Sequence, residues 1–204
     1  MKKISNPDWS GNTNSIFKTL GASNHSEGER ETNDYYATDP KAVTLLLDLE
    51  NFSDLPIWEC ACGQGHLSKI MEKKSLIVKS SDIINRGYGE VYDFLSPDNK
   101  QWNGHIITNP PYKYAKEFVE KAISIVSEGC KIAMFLKIQF LEGKSRRFLF
   151  EQYPPKTVYI SSSRLNCAKN GDFTQVLKQG SAVAYAWFIW QKNYTGNTTL
   201  KWFN

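Results

Sequence analysis

Two consecutive prolines, Pro110 and Pro111, directly follow the apolar run His105-Ile106-Ile107-Thr108 and its neighbour Asn109. Each proline fixes φ near about −65° and removes a backbone donor. Asn109, standing before the first of them, is steered away from helix. Asn109-Pro110-Pro111-Tyr112 must therefore leave the end of a strand along an extended path. That path holds the Asn109 side-chain oxygen and the Pro110 carbonyl in fixed directions as two acceptors, an arrangement that suits an NH2 group. Tyr112 adds a planar apolar face for a heteroaromatic ring. The plainer alternative is a proline loop that closes a strand.

The rest of the chain alternates strand and helix patterns around this corner. Asp39-Pro40 reads as an N-cap with a first-turn proline, and Ala42, Val43, Leu45, Leu46, Leu47 and Leu49 supply a broad apolar stripe, so a helix is expected over Pro40–Glu50. The run from Leu55 to Cys60 predicts a strand leading into Gly63-Gln64-Gly65, with helical composition from His66 to Lys74. A strand is expected over Leu76-Ile77-Val78 and on to Asp82, another at His105–Thr108, a helix over Tyr114–Ser127 and a strand at Lys131–Leu136. A helix near Lys144–Glu151 and strands at Thr157–Ser161 and Ala182–Trp190 complete the pattern. Alternation of this kind predicts an α/β fold with a mostly parallel sheet covered on both faces. The last two strands are joined through the turn pair Asn170-Gly171 without a clear helix and are expected to form an antiparallel hairpin at the sheet edge.

The 204 residues suit one domain, at 41% hydrophobic and 23% charged, which excludes wholesale disorder and coiled coil. Residues 1–34 are rich in Asn, Ser, Gly, Glu and Lys and read as an arm or lid; residues 35–204 read as the folded domain. No run approaches a membrane span and the start lacks a secretory apolar stretch, so a cytoplasmic protein with no membrane partner is expected. Cys60, Cys62, Cys130 and Cys167 lack Cys-x-x-Cys spacing, and His25, His66 and His105 lack i,i+4 pairing. Reduced thiols and no metal are the expectation.

Ligands of α/β sheets bind beyond the carboxyl ends of the strands. Glu59 to Gly65 lies there, with Gly63 and Gly65 able to let backbone approach a ligand or simply to make a tight turn. Asp82 ends the next strand, where a carboxylate can accept from ribose hydroxyls or serve a turn. Asp93, in Tyr92-Asp93-Phe94, could accept from an adenine amino group or cap a turn. Charge is split along the chain: residues 1–112 carry 11 Lys+Arg against 15 Asp+Glu, whereas the remainder carry 14 against 6. A basic second half fits either a phosphate-binding surface or an ordinary solvated face.

Taken together, these segments resemble the amino-group methyltransferases that use S-adenosylmethionine, and most closely the small phage and prophage DNA adenine-N6 methyltransferases. Asn109-Pro110-Pro111-Tyr112 looks like the catalytic motif of that family, and Glu59 to Gly65, including Cys60, looks like its cofactor loop. Tyr35-Tyr36-Ala37-Thr38-Asp39-Pro40 is similar to the segment that helps hold the methionine end, and the order of these motifs resembles the gamma class. The likeness implies a Rossmann-like class I methyltransferase fold, S-adenosylmethionine as cofactor, DNA as partner and, for a phage-encoded protein, the cytoplasm of a bacterial host. Only 92 residues follow Tyr112, so no separate target-recognition domain is expected. Cys60-Ala61-Cys62-Gly63 stands where relatives commonly carry Pro-Ala-Cys-Gly.

On this resemblance, Asn109 and the Pro110 carbonyl accept the amino hydrogens, and Pro111 stiffens the corner. Tyr112 stacks on an extruded base. Glu59 and Asp82 make polar or ribose contacts, Gly63 and Gly65 approach through backbone, Asp93 faces adenine, and Tyr35, Tyr36 and Thr38 lie at the methionine end, with Asn109 between cofactor and base. Lys113, Lys144, Arg146, Arg147, Arg164 and Lys169 would follow the phosphate backbone, and Phe173 is a candidate second wall around the base. The same corner also serves enzymes that methylate RNA adenine or protein glutamine. A cofactor-fold module that binds nucleic acid without catalysis is a further alternative.

Overall fold

The computed structural model describes residues 36–99, 101–163, 165, 167–169 and 183–204. The expected arm at residues 1–34 lies outside them. Ten strands and four helices follow in chain order among the described residues: β1 Tyr36–Thr38, α1 Pro40–Leu49, β2 Ile57–Glu59, α2 His66–Lys73, β3 Val78–Asp82, β4 Glu90–Val91, β5 His105–Thr108, α3 Ala115–Ile125, β6 Lys131–Lys137, α4 Lys144–Gln152, β7 Thr157–Ser161, β8 Cys167–Lys169, β9 Tyr185–Gln191 and β10 Thr199–Phe203. Helix α1 starts as its sequence dictates. The Asp39 side chain accepts from the Lys41 N–H at 2.9 Å, and Pro40 fills a position whose N–H would have no partner.

Eight strands form one sheet in the order β10-β7-β9-β6-β5-β2-β3-β4. Within it β6, β5, β2, β3 and β4 are mutually parallel. The antiparallel pairing expected between the last two predicted strands is present, since β9 runs against β7. It also runs against β6, and β10 adds outside β7 as a parallel edge strand. The remaining strands, β1 and β8, make a separate antiparallel pair in which Tyr36 faces Lys169 and Thr38 faces Cys167.

Strand residues alternate between two cores. Trp58, Ile106, Met134 and Phe188 join the core shared with α3 and α4, while Ile57, Ile107, Phe135 and Trp187 join the one shared with α1 and α2. Both faces are buried, as expected of a parallel sheet. Side-chain hydrogen bonds tie the layers together: Trp187 Nε1 donates to the Ala42 carbonyl at 2.9 Å. His105 accepts the Lys131 N–H at Nδ1 (3.0 Å) and meets Asp54 at Nε2 (3.0 Å), which fixes its tautomer and makes it a structural bridge. Among the described residues no helix is long and apolar enough to cross a membrane.

Trp187 is fully buried between α1 and the sheet. Trp187→Ala should therefore destabilise the fold by about 3–5 kcal/mol through cavity formation, read as a lower urea midpoint with an unchanged slope.

Candidate active site

Because β2, β3, β5 and β6 are parallel, their carboxyl ends share one rim of the sheet, and Glu59, Asp82, Thr108 and Lys137 all terminate there. The loop from Cys60 to Gly65 lies along this rim. Its backbone is held by Cys62 N–H to the Ser81 carbonyl (2.9 Å) and Gly65 N–H to the Cys62 carbonyl (2.7 Å). The Asp82 carboxylate accepts from Gly63 N–H at 2.8 Å and from Ile84 N–H at 3.0 Å. Gly63 and Gly65 have φ of 54° and 77°, a region that favours glycine. A Cβ on Gly65 would stand 2.4 Å from the Tyr88 ring, so the bare face of this glycine receives a side chain of the chain itself. Tyr88 is anchored by its hydroxyl to Glu72 (2.7 Å) and lies under Lys69, whose Nζ is 4.9 Å from its centroid.

Glu59 points inward. It is 2% exposed, and its Oε2 accepts from the N–H (2.8 Å) and the hydroxyl of Ser68, which also meets Ser80 Oγ at 2.7 Å. Gly65, the residue that opens α2, offers no side chain to the free amides of the first turn. The carboxyl of Glu59 supplies that cap from a neighbouring strand. Burial, the largest influence, pushes its carboxyl up to about 8; the Ser68 hydrogen bonds pull it down, and Asp82 and Glu72 add repulsion. Any service of Glu59 to a cofactor thus runs through the loop and helix it holds. Burial likewise raises the Cys60 thiol well above its ordinary value and the Cys62 thiol to about 12, so both are inert.

The corner at Asn109 is held by one decisive contact. Asn109 Nδ2 donates to the Tyr36 carbonyl at 3.0 Å, and only the NH2 end of the amide can face that carbonyl. Oδ1 therefore points the other way, buried and without a donor among the described residues. The Pro111 carbonyl accepts from Tyr114 N–H (2.9 Å), whereas among the described residues nothing donates to Pro110. Tyr112 opens a short 3-10 turn before α3. Its ring packs against Tyr36 (centroids 5.5 Å apart) and Tyr185 (6.0 Å), with Lys137 Nζ 4.5 Å above it. The Tyr112 hydroxyl is buried outside ordinary hydrogen-bond geometry, with Cys167 and Tyr185 beside it, and burial holds the phenol well above its usual value.

The other candidates fall into distinct settings. Thr38 is buried opposite Cys167, and Asp93 is an exposed turn former whose Oδ1 accepts from Leu95 N–H at 2.9 Å. Asp93 does lie near Asp82, since Tyr92 N–H donates to the Asp82 carbonyl at 2.8 Å. Lys113 and Lys144 are exposed, and Arg147 is exposed but pairs with Glu151 at 2.7 Å. Arg146 instead directs its guanidinium to the carbonyls of Gln139 (3.1 Å), Phe140 (2.8 Å) and Glu142, holding the turn before α4. Tyr35, Arg164 and Phe173 lie outside the described residues, and Lys169 is placed only by its strand position. Sequence reasoning missed Ile83, which is 62% exposed next to Asp82; an apolar residue directly after a strand-ending aspartate was the signal.

No family model and no curated protein matches this chain. Solved structures share its fold. One is assigned as a class I S-adenosylmethionine-dependent methyltransferase from Listeria monocytogenes (TM-score 0.56, 12% identity, covering 92% of this chain and 71% of that one). Another is assigned as an RNA methyltransferase from Pyrococcus horikoshii (TM-score 0.53, 14% identity, 89% and 99%). A third is the M protein of the type I restriction enzyme EcoKI (TM-score 0.54, 13% identity, 82% and 46%), of which this chain spans under half. The chain has the Rossmann-like fold of class I methyltransferases.

The buried carboxyl of Glu59 has a consequence for stability. Folding raises it from an ordinary 4.5 to about 8, so between those values the folded state holds more protons than the unfolded state. Its contribution is complete below the lower value and is lost as pH rises through the upper one. The urea midpoint of the parent should fall between about pH 5 and 8.5, and Glu59→Gln, which keeps an acceptor for Ser68, should flatten that fall. Parallel declines in both proteins would refute the inward role of Glu59.

Proposed function

We propose that this protein transfers a methyl group from S-adenosylmethionine to the N6 amino group of adenine in DNA. The observation that carries this reading is the buried Oδ1 of Asn109, which has no donor among the described residues and is held in direction by the Tyr36 carbonyl. A buried acceptor without a donor costs about 1–3 kcal/mol, a cost that an incoming N–H removes. The adjacent Pro110 carbonyl supplies the second acceptor that a planar NH2 group requires.

The residues on the rim fit the proposed cofactor. The Asp82 oxygens each accept one backbone N–H and retain capacity for ribose hydroxyls, and exposed Ile83 offers apolar surface to a purine. The Gly63–Gly65 turn would pass beneath, and Asp93 lies close enough to Asp82 to border the same ligand. When bound, S-adenosylmethionine supplies an electrophilic methyl carbon whose bond to sulfur breaks as the bond to nitrogen forms. Asn109 and Pro110 would orient the amine and favour its lone pair by accepting both hydrogens. Tyr112, kept neutral by burial, acts as a stacking surface and not as a base. The proton released from nitrogen passes to water. Exposed Lys113 and Lys144 give the neighbouring surface cationic groups for a phosphate backbone.

Asn109→Ala should lower kcat by about 10²–10³-fold, the effect of removing one preorganised hydrogen-bonding group from a reacting site, while calorimetry finds cofactor affinity unchanged. The assay supplies labelled cofactor with duplex DNA, RNA and protein together. Label in RNA or protein alone, or equal transfer by Asn109→Ala, overturns the reading.

A further inference from the structure

Of the three groups packed on the Tyr112 ring, two are rings carried by strands: Tyr36 on β1 and Tyr185 on β9. The third is the Lys137 ammonium, 4.5 Å from the Tyr112 centroid at the tip of a flexible stem. Lys137 closes β6, the strand beside β5, so its side chain rises from the rim next to the Asn109 corner. Among the described residues it makes no ion pair. Its neighbours are neutral: Tyr112 and Tyr185 are held protonated by burial, and burial pushes the Cys167 thiol up to about 11. A half-buried cation that meets a ring and, among the described residues, no carboxylate is incompletely compensated.

We propose that Lys137 is a displaceable cover for the Tyr112 ring, occupying the place of the target base in the free protein and drawn aside by a phosphate next to that base. The proposal rests on the methyl-transfer reading above and specifies its substrate class: a nucleotide within a polynucleotide chain, as opposed to a free nucleoside or a peptide amide. A cation and a stacked base compete for one aromatic face. Tyr36 and Tyr185 present bulky rings on short stems, whereas Lys137 reaches the ring through a long flexible stem that rotation can withdraw. Leaving the ring costs the ammonium that favourable contact, and an anion at the site offsets the loss. A polynucleotide carries that anion on the same molecule as the base; deoxyadenosine and a glutamine side chain carry none.

The test compares the full-length parent, Lys137→Met, which keeps an apolar stem without charge, and Lys137→Arg. Each is assayed for methylation of a single-stranded oligonucleotide and of deoxyadenosine, and for binding of the same oligonucleotide carrying 2-aminopurine at the target position over a salt series. Lys137→Met should lose about tenfold in kcat/KM on the oligonucleotide, with a log–log salt slope shallower by about 0.7, the value for one phosphate contact on a single strand. Its turnover of deoxyadenosine should rise several-fold, because the ring is uncovered, and Lys137→Arg should keep the parent slope. An unchanged slope together with an unchanged oligonucleotide-to-nucleoside ratio in Lys137→Met overturns the proposal. If the parent binds the oligonucleotide yet transfers no methyl group, the function proposed above fails, and Lys137 is judged by the binding slope alone. Failure of the parent to bind overturns both.

Discussion

The hydrogen bond from Asn109 Nδ2 to the Tyr36 carbonyl joins the central β5 to the two-stranded β1–β8 unit, which no main-sheet ladder reaches. Its second effect is directional. With the amide nitrogen committed to a carbonyl, the oxygen is forced into the corner, where the two prolines have already removed the backbone donors that could satisfy it. A structural asparagine in a buried turn ordinarily finds partners for both ends of its amide. Here one end is fastened so that the other stays open. The fold tolerates that cost because β5 lies between parallel neighbours and is buried throughout.

The same division between fastened and open ends organises the cofactor side of the rim. Glu59 is consumed by the first turn of α2, which lets Gly65 begin that helix without a capping side chain and turn its bare face toward Tyr88. The protonated carboxyl preferred by burial lowers repulsion with Asp82 and Glu72. Asp82 can then remain an acceptor for Gly63 and Ile84 while keeping free lone pairs on the rim. Two carboxyls on adjacent strands thus separate into one that builds and one that can bind.

What the sequence made legible was whatever local chemistry determines. The bounds of β5 and β7, the Asp39 cap and the glycine turn follow from short-range residue patterns, and the structure has them. Strands β1, β4 and β8 run two or three residues, too short for an alternation to register, and β10 is an edge strand with four exposed residues in five. Side-chain partners across long separations were the other blind spot. Arg146 reads as a phosphate cation by composition, but three carbonyls of a preceding turn claim it. Gly65 has a partner the sequence did not show, since a tyrosine from another loop fills the space beside its Cα.

Both cases have one cause: charge and small size state what a residue can do, whereas the tertiary partner decides what is left for it to do. Arg146 and Arg147 are sequence neighbours of equal charge, yet one is spent on backbone and the other on an exposed carboxylate from which solvent and salt easily release it. Lys137 reverses the case. Ending an apolar strand, it resembles the ordinary charged residue that marks a strand boundary. Only the convergence of β1, β5 and β9 on Tyr112 shows that its ammonium stands over an aromatic ring, with no ion pair to hold it there among the described residues. β1, β5 and β9 supply the corner's acceptor and its aromatic walls, and the long flexible side chain over the ring is the one that carries a charge, so the proposed substrate must answer that charge as well as the shape.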